Sequence, residues 1–145
     1  MDLVVRQAAE AGVQRVIPAT SRFSQVRIGA EAEKKVARWR RIARQAVQQS
    51  GAPRPPDIDI PRDLESLLQG FGENLSDEVR LFFHQDREGG EPLHRYLSKS
   101  PKIITLVVGP EGGLSPDEVQ LLRSRGFVPA SVGRTVLRTE TAALY

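Results

Sequence analysis

The chain has 145 residues, of which 39% are hydrophobic, and its formal net charge is +3. This length suits one packed core and is short for two. The absence of cysteine excludes disulfides, thiolate catalysis, iron–sulfur clusters and cysteine-bound zinc. With only two histidines, we expect no metal site. No apolar run is long enough for a membrane span or a signal peptide, so we expect a cytoplasmic protein without membrane contact.

Positive charge is concentrated in the N-terminal third of the chain. Residues 1–51 carry ten Lys and Arg against four Asp and Glu, whereas residues 52–145 carry eleven against fourteen. A basic segment on a near-neutral body favours a surface that faces a polyanion such as nucleic acid. A solvated basic face is the alternative, and charge alone does not decide between them.

Apolar residues at helical spacing predict a short helix over residues 2–11 and a long helix over 30–50, with a buried strand over 13–17 between them. One face of the long helix is apolar, and a basic stripe runs along its other faces: Lys34, Lys35, Arg38, Arg40, Arg41 and Arg44. The stripe either contacts phosphates or is the solvated side of an amphipathic helix.

Strands and helices keep alternating in the second half of the chain. The pattern predicts a strand over 58–60, a helix over 63–69, a strand over 78–84, a short helix over 92–97 and a last strand over 127–132. This alternation, without internal repeats, predicts an α/β fold with a mostly parallel sheet.

The clearest strand covers residues 102–108 and is apolar almost throughout. A continuous apolar run is typical of a strand that is covered on both faces, as in a parallel sheet. A helix follows, because Ser115 is placed as its N-cap, Pro116 as its first residue and Glu118 as the partner in a capping box.

A glycine-rich loop, Gly109-Pro110-Glu111-Gly112-Gly113, joins that strand to that helix. Ligands of open α/β sheets bind at the carboxyl ends of strands, and glycines let the backbone approach a ligand closely. The loop matches neither G-x-G-x-x-G nor the Walker A pattern, so we do not expect a pyrophosphate cradle. The alternative is a tight turn in which the glycines serve geometry alone.

A second loop, residues 132–142, follows the last strand and mixes apolar side chains with cations and a carboxylate. Such a mixture suits a ligand that is partly apolar and partly charged. Alternatively, Thr139 or Glu140 caps a last helix while Arg138 is solvated.

Both loops carry long motifs that resemble one known family. The motifs read GPEGGLSPDE at 109–118, GF at 126–127 and LRTETA at 137–142, with AEAGV at 9–13 and RW at 38–39 upstream. They resemble the signature of the RsmE family of SPOUT-class ribosomal RNA methyltransferases, and the resemblance covers nearly the whole chain. The family methylates N3 of a uridine in the 16S ribosomal RNA of the small subunit.

The resemblance implies a mostly parallel sheet flanked by helices, a C-terminal trefoil knot and a homodimer. It implies S-adenosyl-L-methionine as cofactor, held by three loops. The cofactor-binding residues that it implies are Phe83, His84, Gly109, Pro110, Glu111, Gly112, Gly113, Val132, Gly133, Arg134, Val136, Leu137 and Arg138.

Uridine N3 carries a proton, so the nucleophile must become anionic before it attacks a methyl group. A cation lowers that cost, and a carboxylate or water takes the proton. We expect Arg138 as the electrostatic catalyst, Arg22 as a second cation and Glu140 as a candidate base. A solvated loop arginine is the alternative for Arg22, and a surface histidine is the alternative for His84.

The chain departs from the family pattern at its ends and in one motif. Family members carry an N-terminal RNA-binding domain of the PUA type and a strand before the first helix. We therefore expect residues 1–145 to be the methyltransferase domain alone, with a shortened terminal helix. The family's Glu-Gln-Ser-Gly-Arg reads QQSGA at 48–52, and Arg54 is the candidate to replace the missing arginine.

Two other functions compete with an RNA methyltransferase. One is a catalytically silent RNA-binding or ribosome-assembly module that keeps the fold. The other is a nucleotide-binding regulatory domain, which the missing phosphate-loop lysine disfavours.

Overall fold

The structure is a computed structural model that describes residues 1–24, 29–72, 76–84, 90–98, 100–133 and 137–143. The described chain divides into two compact units. Unit 1 contains residues 1–20 and 29–63, and unit 2 contains residues 21–24 and the described part of 64–143. Within the described residues, no helix is both long enough and apolar enough to cross a membrane.

Unit 1 is built around two helices, α1 (Asp2–Glu10) and α2 (Ala32–Ser50). Between them lie the short strands β1 (Arg15–Val16) and β2 (Ala19–Thr20). After α2 come β3 (Asp57–Ile58) and β4 (Arg62–Asp63), which pair in parallel with β1 and β2 respectively. The buried core of this unit consists of Val5, Ala9, Val36, Trp39, Ala43, Ala46 and Ile58.

The basic stripe of α2 splits into parts with different surroundings. Arg38 forms an ion pair with Asp2 of α1, and the indole Nε1 of Trp39 donates a hydrogen bond to the same carboxylate at 3.1 Å. On another side of the helix, the guanidinium of Arg40 donates to the carbonyl oxygen of Ile58 at 2.8 Å. Part of the predicted polyanion surface therefore holds unit 1 together.

Unit 2 contains a four-stranded, all-parallel sheet in the order β6-β8-β5-β7. Its strands are β5 (Glu78–Phe83), β6 (Glu91–Pro92), β7 (Ile103–Val108) and β8 (Val128–Ser131). Its helices are α3 (Leu64–Gln69), α4 (Leu93–Leu97), α5 (Pro116–Ser124) and α6 (Thr139–Ala142). The prediction of an α/β fold with a mostly parallel sheet is confirmed, and the trefoil knot remains a prediction.

The core of unit 2 lies against the central strand β5. Phe82 of β5 is fully buried and belongs to one apolar cluster with residues of α3, of α5 and of the segments beside α5. The cluster consists of Leu64, Leu68, Phe82, Leu114, Leu122 and Phe127. This packing fixes β5 between its neighbours and so positions the carboxyl edge of the sheet.

Strand β7 differs from its prediction. The apolar run indicates a strand covered on both faces, yet β7 lies at the edge of the described sheet and pairs there with β5. Its residues Ile103, Ile104 and Leu106 are 47%, 50% and 37% exposed. An apolar run indicates side chains that favour burial, but it does not say whether a neighbouring strand or helix covers them.

A buried ion pair lies inside unit 2. The side chains of Arg80 and Glu78 are 5% and 8% exposed, with 2.8 Å between the guanidinium and the carboxylate. Arg80 also donates to the carbonyl oxygens of Gly72 at 2.8 Å and Arg125 at 3.0 Å. Its guanidinium lies 5.1 Å from the ring centroid of Phe71. One arginine thus joins β5 to the segment after α3 and to the end of α5.

Candidate cofactor and active site

Three of the segments expected to hold a cofactor leave the sheet at the same edge. Phe83, the last residue of β5, is in register with Val108 of β7 and with Ala130 of β8. The three strands are parallel, so the residues after them emerge side by side at the carboxyl edge. His84, the loop 109–113 and the segment 132–133 therefore begin next to one another.

The glycine loop is shaped by its backbone. The N–H of Gly113 donates to the carbonyl oxygen of Pro110 at 2.8 Å, and Gly113 has φ +76°, which favours glycine. A Cβ at Gly109 would lie 3.1 Å from Cγ of Leu114, which is tighter than ordinary packing. Local backbone geometry and packing therefore explain why glycine occupies positions 109 and 113. The loop presents backbone groups at the edge of the sheet.

Gly112 has a different environment. A Cβ at this position would lie only 2.9 Å from Cβ of Phe23, so the short segment 21–24 packs directly on the loop. No positive φ requires glycine at position 112. The residue is small because another segment comes close.

The helix after the loop begins as predicted. The hydroxyl of Ser115 accepts the N–H of Glu118 at 3.4 Å, and the carboxylate of Glu118 accepts the N–H of Ser115 at 2.8 Å. This reciprocal capping box fixes the direction in which α5 leaves the glycine loop.

Glu118 has a second contact that the sequence analysis missed. Its other carboxylate oxygen accepts the backbone N–H of Arg22 at 2.8 Å. One side chain thus caps α5 and anchors the segment that covers Gly112. The two residues are 96 positions apart, and no local pattern signals such a contact.

Arg22 lies beside the N-terminus of α5. Its guanidinium is 3.5 Å from the carboxylate of Asp117, and both side chains are largely exposed. The segment of Arg22 thus lies beside the glycine loop, and its exposed side chain fits both a second cation of the site and a solvated loop arginine. Whether it contacts substrate remains a prediction.

The second predicted loop is joined to the first by a hydrogen bond. The hydroxyl of Thr139, the first residue of α6, donates to the carbonyl oxygen of Gly109 at 3.0 Å. The N-cap of α6 is Arg138, whose side chain is exposed and makes no capping hydrogen bond. Thr139 therefore connects the two loops instead of capping the helix.

The residues around this connection carry the expected catalytic groups. Arg138 precedes Thr139, and Glu140 follows it in the first turn of α6 with a half-buried side chain. Val132, Gly133 and Leu137 are described, whereas Arg134 and Val136 lie outside the described residues. Arg138 and Glu140 are thus the chain neighbours of the residue that bonds to Gly109.

The donor set at this edge suits S-adenosyl-L-methionine. It offers backbone N–H and C=O groups of a glycine loop and the half-buried apolar side chains of Phe83, Val132 and Leu137. Backbone groups match the edges of an adenine, and apolar side chains match its faces. The loop brings no lysine of the kind that cradles phosphates.

Comparisons with known proteins agree with this geometry. Residues 1–145 match the family model of an RNA methyltransferase domain. The chain therefore belongs to the RNA methyltransferase family, and the resemblance to RsmE is confirmed.

The relatives are more specific. The ribosomal RNA small subunit methyltransferase E of Aquifex aeolicus is 38% identical over 99% of this chain and 59% of that protein. A putative methyltransferase of Legionella pneumophila, solved with bound S-adenosylmethionine, is 33% identical with a TM-score of 0.88, over 99% of this chain and 57% of that chain. The ribosomal RNA small subunit methyltransferase E of Neisseria gonorrhoeae, also solved with S-adenosylmethionine, is 31% identical with a TM-score of 0.84, again over 99% and 57%. The chain thus spans somewhat more than half the length of the relatives it matches.

Proposed function

We propose that this chain is the methyltransferase domain of an S-adenosyl-L-methionine-dependent enzyme that methylates N3 of a uridine in 16S ribosomal RNA. The observation that carries the proposal is the meeting of the glycine loop and the Arg138–Glu140 segment, joined by the hydrogen bond from Thr139 to Gly109. Relatives of the same fold hold S-adenosylmethionine, and the curated relatives are named as ribosomal RNA methyltransferases.

The cofactor would be held by the three segments at the carboxyl edge. The glycine loop 109–113 supplies backbone groups, Phe83 and His84 line a second side, and Val132, Gly133, Leu137 and Arg138 close a third. When bound, S-adenosyl-L-methionine supplies a methyl group on a positively charged sulfur. The trefoil knot, the homodimer and the cytoplasmic location belong to the same proposal.

The chain's own residues must make the uridine nucleophilic. As the proton leaves N3, negative charge develops on N3 and on the neighbouring carbonyl oxygens of the base. The exposed guanidinium of Arg138 stabilises that charge. The carboxylate of Glu140 accepts the proton, and Arg22 provides a second positive charge on the glycine-loop side.

Two measurements test the proposed function. Calorimetry with S-adenosyl-L-methionine should show one binding event for each chain. Small subunits from a strain that lacks the N3-methylated uridine should gain one methyl group on that base, located by mass mapping. If the chain binds no S-adenosyl-L-methionine at about 1 mM, the proposal that it is an enzyme is contradicted. A dissociation constant of about 1 mM corresponds to roughly 4 kcal/mol of binding free energy. Binding without methylation would instead favour the silent RNA-binding module.

The connection between the two loops gives a sharp prediction. Thr139→Val keeps the shape of the side chain but removes the hydroxyl that donates to Gly109. Loss of one hydrogen bond of about 1 kcal/mol should weaken cofactor binding roughly fivefold in calorimetry. Thr139→Ser is the matched control, because it keeps the hydroxyl and should bind within about twofold of the parent. Equal affinities for both variants would show that the hydrogen bond does not shape the cofactor site.

A further inference from the structure

Unit 1 contains an open groove that the proposed methyl-transfer site does not use. The groove has a volume of about 480 Å³ and runs between α2 and the segment 55–59. Arg40 and Arg44 form one wall, Ile58 and two neighbouring prolines line the other, and Arg15 lies in it with two aspartates. Because three arginines line one groove, their charges decide what it can bind.

Of the two carboxylates of the groove, that of Asp59 binds Arg15. Arg15 forms a two-point pair with Asp59, with Nε–Oδ1 and Nη2–Oδ2 distances of 3.3 and 2.6 Å. The hydrogen bond and the charge of Asp59 raise the pKa of Arg15, and Asp57 adds a smaller contribution in the same direction. Arg15 and Asp59 therefore neutralise each other. Three arginines against two aspartates leave the groove one net positive charge, which is carried by Arg40 and Arg44 of α2 with Asp57 nearby.

Arg40 and Arg44 lie four residues apart, so they share one side of α2. One guanidinium nitrogen of Arg40 donates to the carbonyl oxygen of Ile58 at 2.8 Å, which holds the group at the groove. A guanidinium has five N–H donors, so Arg40 has donors beyond the one used in this hydrogen bond. Within the described part of the chain, Arg44 has no hydrogen-bond or ion-pair partner.

Two neighbouring guanidinium groups match the oxygens of a phosphodiester, because each can donate two parallel hydrogen bonds. The groove is open to solvent, as a passing strand requires. On its wall, Ile58 and Pro56 are buried, and the exposed Pro55 is the apolar side chain that a ribose can contact. The basic bias of residues 1–51 adds long-range attraction for a polyanion. We propose that this groove binds the phosphodiester backbone of the RNA substrate, with Arg44 and Arg40 as its phosphate ligands. The inference rests on the proposed function in that it takes RNA as the polyanion.

The test uses the whole chain and a short fluorescein-labelled single-stranded RNA, with anisotropy measured over a series of salt concentrations. Arg44→Gln should weaken binding roughly fivefold and reduce the slope of log K against log salt by about 0.7, the value for one lost phosphate contact on a single strand. Arg44→Lys keeps the positive charge but loses the planar guanidinium. Its affinity for RNA should lie between those of the parent and Arg44→Gln.

Lys35→Gln is the matched control. It makes the same change in net charge on the same helix, about 140° around the axis from Arg40 and about 180° from Arg44. It should leave affinity within about twofold of the parent, because a charge away from the groove contributes only long-range attraction. Equal losses for the two variants, or no loss for either, would overturn the proposal. Competition by polyglutamate as strong as by unlabelled RNA at equal charge would overturn it too, since the groove would then recognise charge alone.

Cofactor calorimetry on the same variants separates this inference from the proposed function. Arg44→Gln should bind S-adenosyl-L-methionine as the parent does. If the parent chain binds no cofactor, the proposed methyl transfer is contradicted. The salt dependence of RNA binding by the variants still tests whether the groove binds RNA. If the parent methylates RNA and Arg44→Gln binds RNA as tightly as the parent, only the proposal that the groove binds RNA is contradicted.

Discussion

Gly112→Val should lower the affinity for S-adenosyl-L-methionine at least tenfold, a loss of about 1.4 kcal/mol or more. The added Cβ would lie 2.9 Å from Cβ of Phe23, and the two methyl groups of valine need further space. The segment 21–24 cannot simply leave, because the N–H of Arg22 is bonded to Glu118. Either the segment or the glycine loop must shift, and each shift changes the surface at the carboxyl edge. Titration calorimetry measures the effect.

Two further variants make this prediction specific. Gly72→Val introduces the same side chain in unit 2 at a position where a Cβ would meet nothing within 4 Å, and cofactor affinity should not change. Gly112→Val combined with Phe23→Gly removes the Cβ atom that collides with the new side chain, and it should recover part of the lost affinity. Normal cofactor binding by Gly112→Val alone would show that the loop is only a turn.

Arg80→Met should lower the free energy of unfolding by about 3–5 kcal/mol, the cost of removing one partner from a buried ion pair. Methionine fills part of the volume of arginine, but it leaves Glu78 as a carboxylate that is 8% exposed without the cation beside it. The carbonyl oxygens of Gly72 and Arg125 lose their donor as well. Urea denaturation, followed by circular dichroism, measures the change.

An exposed pair provides the control for this loss. Arg95 and Glu91 form an ion pair at 3.5 Å, with side chains 64% and 53% exposed. Arg95→Met should cost less than about 1 kcal/mol, because water replaces the partner. Arg80→Met with Glu78→Leu should be more stable than Arg80→Met alone, since the buried carboxylate that lost its cation is then removed as well. A single Arg80→Met variant that is as stable as the parent would mean that water reaches this pair.

The features that sequence analysis predicted are those set by near neighbours in the chain. The capping box of α5 is an example, because Ser115 and Glu118 are three residues apart and both bonds are local. The glycine loop was placed correctly at the end of a strand for the same reason. The alternation of apolar runs was enough to predict a parallel α/β sheet, which needs no knowledge of individual contacts.

The features that it missed depend on residues far apart in the chain. The edge position of β7 depends on which strands pair with it, and its apolar composition does not reveal that. The contact of Phe23 with Gly112, like the bond from Arg22 to Glu118, joins segments about 90 or more residues apart. The burial of Arg80 is likewise invisible in a strand pattern, because a charged residue there is normally read as solvent-facing.

Because Glu118 makes two contacts, position 118 should tolerate fewer substitutions than position 117. Aspartate is one methylene too short to keep both bonds, and glutamine offers a single acceptor oxygen where the carboxylate uses two. Asp117, whose side chain is 85% exposed, makes an exposed ion pair with Arg22 in place of two such hydrogen bonds. In a library that randomises both codons, selection for activity should therefore retain glutamate at position 118 and accept many different residues at position 117.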